Sequence, residues 1–124
     1  MTSLPESVGH AWKDRDGPAI LATVDKNGVP NIIYVNSVAI LDDDCFVVAD
    51  NYFHKTRKNL LHSSKGALLF RDKKGKSYQV KGRLQYQTEG KVFDYMKTWN
   101  APWHPGHAAA VLSVEEAYSG AEKL

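Results

Sequence analysis

Between Ser77 and Gln87 the chain alternates with a period of two. Tyr78, Val80, Gly82, Leu84 and Tyr86 share one parity; Gln79, Lys81, Arg83, Gln85 and Gln87 share the other. Successive side chains of a strand point to opposite faces, so this stretch reads as a long strand with one packed and one wetted side. Such a strand needs partners in an antiparallel sheet and a core beneath it. The flanking sequence supplies both. Residues 67–72 precede it across the turn Lys73-Lys74-Gly75-Lys76. Further upstream, a strand from Ala19 to Val24 and a longer one from Val29 to about Leu41 flank Asp25-Lys26-Asn27-Gly28, a hairpin turn, with Pro30 tolerated near a strand start. Asp42-Asp43-Asp44 reverses the chain into Cys45–Asp50, residues 108–114 read as a last strand, and residues 115–124 as a polar tail.

Two helical patterns punctuate these strands. Ser3-Leu4-Pro5-Glu6 has capping-box spacing, and Leu4, Val8, Ala11 and Trp12 share a face of a helix that stops near Asp16-Gly17-Pro18. Thr88 is placed to cap a second helix carrying the apolar stripe Val92, Phe93, Tyr95, Met96 and Trp99. Six strands spaced by turns, with helices at the start and between the fifth and sixth strands, suit a closed antiparallel barrel. At 124 residues the chain is expected to be one domain. No apolar run approaches ~18 residues, so no membrane span is expected. The N-terminus lacks a secretory pattern, and Cys45 is the only cysteine, a small core residue by its surroundings; both fit a cytoplasmic location. A net charge of +2 is too small to imply nucleic acid.

The segment from Cys45 to Leu60 carries the functional signal. A buried-looking strand bends into His54-Lys55-Thr56-Arg57-Lys58-Asn59, a cationic helix start. Lys55, Arg57 and Lys58 bring positive charge, Thr56 a hydroxyl, and the first turn brings unpaired backbone N–H groups, a combination that suits a phosphate monoester. Asn59 lies one turn past Lys55 and completes a polar cup. On charge spacing alone, a basic first turn is more often a solvated helix face.

The strand followed by His-Lys-Thr-x-x-Asn resembles the phosphate-binding segment of the FMN-binding split barrels, the pyridoxamine 5′-phosphate oxidase-like superfamily, and within it the small bacterial FMN-binding proteins. Residues 19–30 resemble the first hairpin of that fold, Tyr34-Val35-Asn36-Ser37 the strand that supports the flavin ring, and Val80-Lys81-Gly82-Arg83-Leu84 a later glycine-bearing strand. The resemblance implies a mainly β fold, a six-stranded antiparallel Greek-key split barrel with two flanking helices. It also implies FMN as cofactor. Lys55, Thr56 and Asn59, with His54 beside them, would hold the phosphate, and Ile33, Tyr34, Val35 and Asn36 would carry the ring, with Val48, Ala49 and Asp50 below it. Similar proteins are homodimers whose flavin touches both subunits, so Trp99 and Trp103, in the segment Trp99-Asn100-Ala101-Pro102-Trp103-His104-Pro105-Gly106-His107, are candidates for an aromatic lid.

The expected role is redox: electron transfer, or flavin-dependent oxidation or reduction of a small substrate. No side chain stands out as acid, base or nucleophile. A pyridoxamine 5′-phosphate oxidase-type enzyme is the alternative, although the basic C-terminal substrate clamp of those longer oxidases has no counterpart here. A deazaflavin in place of FMN stays open. His104 and His107 have a chelating spacing without the cysteines or carboxylates of a zinc site, and no metal is expected. A small nucleic-acid-binding barrel is the rival class, with Tyr78 and Tyr86 as stacking platforms. Against it, those tyrosines share parity with Val80 and Leu84, whereas Lys81 and Arg83 face the other way.

Overall fold

The computed structural model describes residues 4–42, 44–62 and 65–124. Helix α1 (Glu6–Lys13) leads into strands β1 (Ala19–Val24), β2 (Pro30–Val35), β3 (Val38–Leu41) and β4 (Cys45–Asp50). Helix α2 (Lys55–His62), strands β5 (Lys65–Arg71) and β6 (Ser77–Gln87), helix α3 (Lys91–Trp99), and strands β7 (Ala108–Ser119) and β8 (Glu122–Lys123) follow. The strands form one antiparallel sheet in the order β2-β1-β5-β6-β7-β4-β3, with β8 added to β7. This is the mainly β split-barrel architecture expected. The two flanking helices are α1 and α3, and the cationic segment forms the third, α2.

The expected long strand from Val29 to Leu41 is divided. Its first half pairs with β1, Val35 opposite Ala19, and its second half pairs with β4, Val38 opposite Val48. The two residues between, Asn36 and Ser37, carry the chain from one edge of the sheet to the other, so the sheet curls until its edges approach. The expected polar tail is also corrected. The last strand runs on to Ser119, turns at Gly120 (φ 58°) and returns as β8. A register shift between Lys81 and Gly82 leaves Glu115 unpaired and resets the parity of β7, placing Ala117 and Ser119 indoors. Of the expected caps, Ser3 lies outside the described residues, as does Asp43 of the Asp42–Asp44 reversal, while Thr88 is replaced by Gly90 at the start of α3.

The interior is filled from every strand but β8. Leu21, Val35, Phe46, Val48, Leu68, Val80, Leu84 and Leu112 converge there with Val8, Ala11 and Trp12 of α1. Trp12 stands edge-on to Phe46 and Phe70, with centroids 5.1 and 5.0 Å away. β4 is buried on both faces. Phe46 and Val48 point inward, whereas Cys45, Val47 and Ala49 point out against Met96 and the rest of the α3 stripe. Each fully buried side chain of that size contributes roughly 1.5–3 kcal/mol. No helix among the described residues is long and apolar enough to cross a membrane.

Both turns read from sequence form with an aspartate at their base. Asp25 Oδ1 accepts from the amides of Asn27 and Val29, and Asp72 Oδ1 from those of Lys74 and Lys76. Gly82 is required for a different reason: a Cβ there would lie 1.8 Å from the Ser113 carbonyl oxygen at the bulge. Gly82→Ala is therefore expected to destabilise the protein by about 2–4 kcal/mol, because backbone has to move. Gly9→Ala, in a helix interior with open space around it, should stabilise by about 0.4–1 kcal/mol. Urea unfolding of the two variants checks both signs.

Candidate functional site

Two depressions lie at opposite ends of β2. At its C-terminal end a groove of about 350 Å³ is lined by Ile33, Tyr34, Val35, Asn36, Ser37, Ala49, Asn51, Tyr52, Phe53 and His104. It exists because the chain leaves β1 at Val35 and rejoins the sheet beside β4. At that gap the Ala49 amide donates to the Ser37 carbonyl at 2.9 Å, and Val38 N to Asn36 O at 3.0 Å. The lining holds no lysine, arginine or carboxylate side chain. It offers a hydroxyl, two carboxamides, aromatic edges and backbone.

At the N-terminal end of β2 a cavity of about 470 Å³ opens between the β1–β2 hairpin and α2, lined by Asp25, Lys26, Asn31, Lys55, Lys58, Asn59 and His62 among others. Lys55, Lys58, Asn59 and His62 fall on one helix face, at the spacing of successive turns. Lys55 and Lys58 are exposed and carry no ion pair among the described residues, so they are available to an anion. Asn31 to Tyr34 spans about 10 Å of strand, the reach of a short flexible chain between a ring and its phosphate.

The sequence-predicted residues divide between these places. Ile33, Tyr34, Val35, Asn36 and Ala49 line the groove, while Lys55 and Asn59 line the cavity. Thr56 is 1% exposed; its Oγ1 accepts from Asn31 Nδ2 at 3.0 Å, and Asn59 Nδ2 donates to Thr23 Oγ1 at 3.0 Å. Those two side chains thus pin α2 to the hairpin. His54 is exposed and lines neither depression; its carbonyl accepts the Lys58 amide. Val48 belongs to the barrel interior rather than to the groove floor. Trp99 packs on Tyr95 beneath α3 with its Nε1 buried and without a partner among the described residues, and Trp103 is 78% exposed beside His104.

Asp50 has its carboxylate engaged from three sides. Arg57 donates to it through Nε at 2.7 Å and Nη2 at 2.9 Å, Tyr86 Oη donates to Oδ2, and the Phe53 amide to Oδ1 at 3.0 Å. Burial alone would raise the Asp50 pKa, but the bonds from Arg57, Tyr86 and Phe53 outweigh it and hold the carboxyl below its ordinary range. The Asp50 bonds raise Arg57 in turn, and Tyr86 is pushed up to about 12, first by burial and then by Asp50. Arg57 is therefore neutralised and does not join Lys55 and Lys58 as an anion ligand, a correction to the reading of three equivalent cations.

Sequence reasoning placed Ser37 on the ring-bearing strand but missed Asn51, Tyr52 and Phe53 as groove residues. Asn51 is the link between groove and lid segment. It exchanges hydrogen bonds with Asn100 at 2.8 and 3.1 Å, donates to Ser37 Oγ at 3.2 Å and accepts from Gly106 N at 3.0 Å. Lys97 Nζ donates to the carbonyls of Pro105 and Gly106. So anchored, the 100–107 loop brings His104 over the groove, where its Nδ1 lies 3.3 Å from Tyr52 Oη. Among the described residues no three His, Cys, Asp or Glu side chains cluster as metal ligands.

A family model described as pyridoxamine 5′-phosphate oxidase matches residues 10–119, and the chain belongs to that family. No curated protein gives a significant match in sequence. Among solved structures, HupZ of Group A Streptococcus is 26% identical with a TM-score of 0.82, over 94% of this chain and 93% of that one. An FMN-binding protein from Syntrophomonas wolfei is 24% identical with a TM-score of 0.74, over 88% and 80%. HutZ, named as the heme storage protein from Vibrio cholerae, is 14% identical with a TM-score of 0.70, over 95% of both chains.

The Asp50–Tyr86 contact has a pH signature. The folded-state pKa of Tyr86, about 12, exceeds the unfolded value of about 10, so the unfolded chain loses this proton first and stability falls as pH rises between them. Tyr86→Phe removes that contribution. Its urea midpoint should decline less steeply than that of the wild type above about pH 10; parallel declines would contradict the assignment.

Proposed function

We propose that this protein is an FMN-binding flavoprotein with a redox role, either transferring electrons or serving flavin-dependent oxidation or reduction of a small molecule. One observation carries the reading: a charge-free groove and a lysine-lined cavity occupy the two ends of a single strand. An isoalloxazine ring needs a flat, largely apolar floor with a few neutral donors and acceptors. Ile33 to Ser37 and Ala49 offer that floor, with Asn36, Ser37 and Asn51 as hydrogen-bonding groups. A phosphate monoester, nearly dianionic at neutral pH, needs cations and N–H donors; Lys55, Lys58, Asn31 and the first turn of α2 offer them. The family supports the same ligand, as does the likeness to a solved FMN-binding protein.

When bound, FMN supplies one- or two-electron chemistry. The chain's own residues have other tasks. Lys55 and Lys58 bind the phosphate, the β2–β4 gap orients the ring, and Tyr52, Phe53 and His104 form a wall that limits water. A pyridoxamine 5′-phosphate oxidase activity is disfavoured, because a phosphorylated substrate would meet no cation in the groove. We also propose a homodimer. Ile32 and Tyr34, 67% and 73% exposed, stand beside Ile20 and Leu69 on the outer face of β2, β1 and β5, and a second copy covering them would bring further groups to the groove rim.

Titrating the apoprotein with FMN, riboflavin and hemin, followed by sedimentation of the complex, tests this reading. FMN should bind at least about tenfold more tightly than riboflavin, and Lys55→Ala should remove about 1.5–3 kcal/mol of that preference. The complex should sediment as a dimer of the 13.8 kDa chain. Equal affinity for FMN and riboflavin, or tight hemin binding with no flavin binding, would overturn the flavin assignment. A monomeric complex would overturn the shared site.

A further inference from the structure

Asp50 is fully buried, yet it bonds to α2, to the groove wall and to the base of the loop over the groove. Through its side chain it accepts from Arg57 on α2, from Tyr86 on β6 and from the amide of Phe53 in the groove wall. Through its backbone carbonyl it accepts from His107 N at 2.8 Å, at the base of the loop that carries His104. It directly follows Ala49, a groove residue. Arg57 approaches from the side of α2 opposite the cavity, since Lys55, Lys58, Asn59 and His62 occupy the other face. The other side of the helix is held by the Asn31–Thr56 and Thr23–Asn59 bonds. Those bonds tie α2 to the hairpin; among the described residues, the two-pronged Arg57–Asp50 pair is the hydrogen-bonded tie to the strand end beside the groove.

We propose that the Asp50–Arg57 pair is the positioning element that fixes the anion cavity relative to the groove, and so determines preference for a phosphorylated over an unphosphorylated flavin. The inference rests on the flavin reading above. A ligand held at both ends gains from the second contact only when the two subsites keep the matching separation. Arg57 acts here without touching the ligand. Disturbing it leaves Lys55, Lys58 and the groove chemically intact and costs only the linkage between them.

The test uses two variants. Arg57→Lys keeps a cation beside Asp50 but replaces a planar fork with a point charge on a flexible stem. Asp50→Asn combined with Arg57→Gln removes both charges and keeps hydrogen-bonding groups, so it serves if the first variant leaves the buried carboxylate poorly paired and unfolds. Affinities for FMN and riboflavin are measured on each folded protein, with FMN repeated at two salt concentrations. Riboflavin affinity should stay within about twofold of wild type while FMN affinity falls about tenfold, equivalent to about 1.4 kcal/mol. The salt dependence of FMN binding should be unchanged, because both lysines remain. An unchanged FMN-to-riboflavin ratio in the folded variants would overturn the proposal, as would an equal fall for both ligands, which marks a general structural defect. A wild type that does not distinguish the two ligands would instead overturn the flavin reading itself, and this inference with it.

Discussion

Everything in this fold depends on how residues 30–41 cross from one edge of the sheet to the other. β2 and β3 are first and last in the strand order, yet only Asn36 and Ser37 separate them in sequence. Two residues span so little distance that the sheet has to curl until its edges nearly meet. Closure of this kind hides edges that would otherwise template aggregation. It also interrupts the hydrogen-bond ladder at one place, leaving a gap with a largely apolar floor and a few neutral hydrogen-bonding groups. The groove is the consequence of closing the barrel with a bent strand.

Much of this was legible. The alternation of Tyr78 to Tyr86 specified a half-buried strand, and Asp25-Lys26-Asn27-Gly28 specified the β1–β2 hairpin, because both are local signals. The break at Asn36–Ser37 was not, since apolar residues on either side make the run look continuous. The extension of β7 past Val114 was hidden by the Glu115 bulge, which shifts the apolar parity by one. Val48 was misplaced because β4 is apolar at both parities, so nothing local says which side faces the groove.

The candidate site divides in the same way. Ile33 to Asn36, Ala49 and Lys55, which line the groove and the cavity, were named through their resemblance to a known motif. Asn51, Tyr52 and Phe53 were not, because their roles arise where a strand end meets a loop from the other side of the sheet. Arg57 shows the limit most plainly. From sequence it equals Lys55 and Lys58, yet its partner Asp50 lies seven residues back across a bend, and pairing turns the guanidinium from a ligand group into a strut. The result is a surface with charge at one end of β2 and none at the other.

A crystal structure of the protein with FMN measures that arrangement most directly. The account predicts the ring against Ile33 to Ser37 and Ala49, and the phosphate within hydrogen-bond distance of the Lys55 and Lys58 ammonium groups, with Arg57 still on Asp50. A phosphate bound by Arg57, or a ring placed outside the groove, would contradict it.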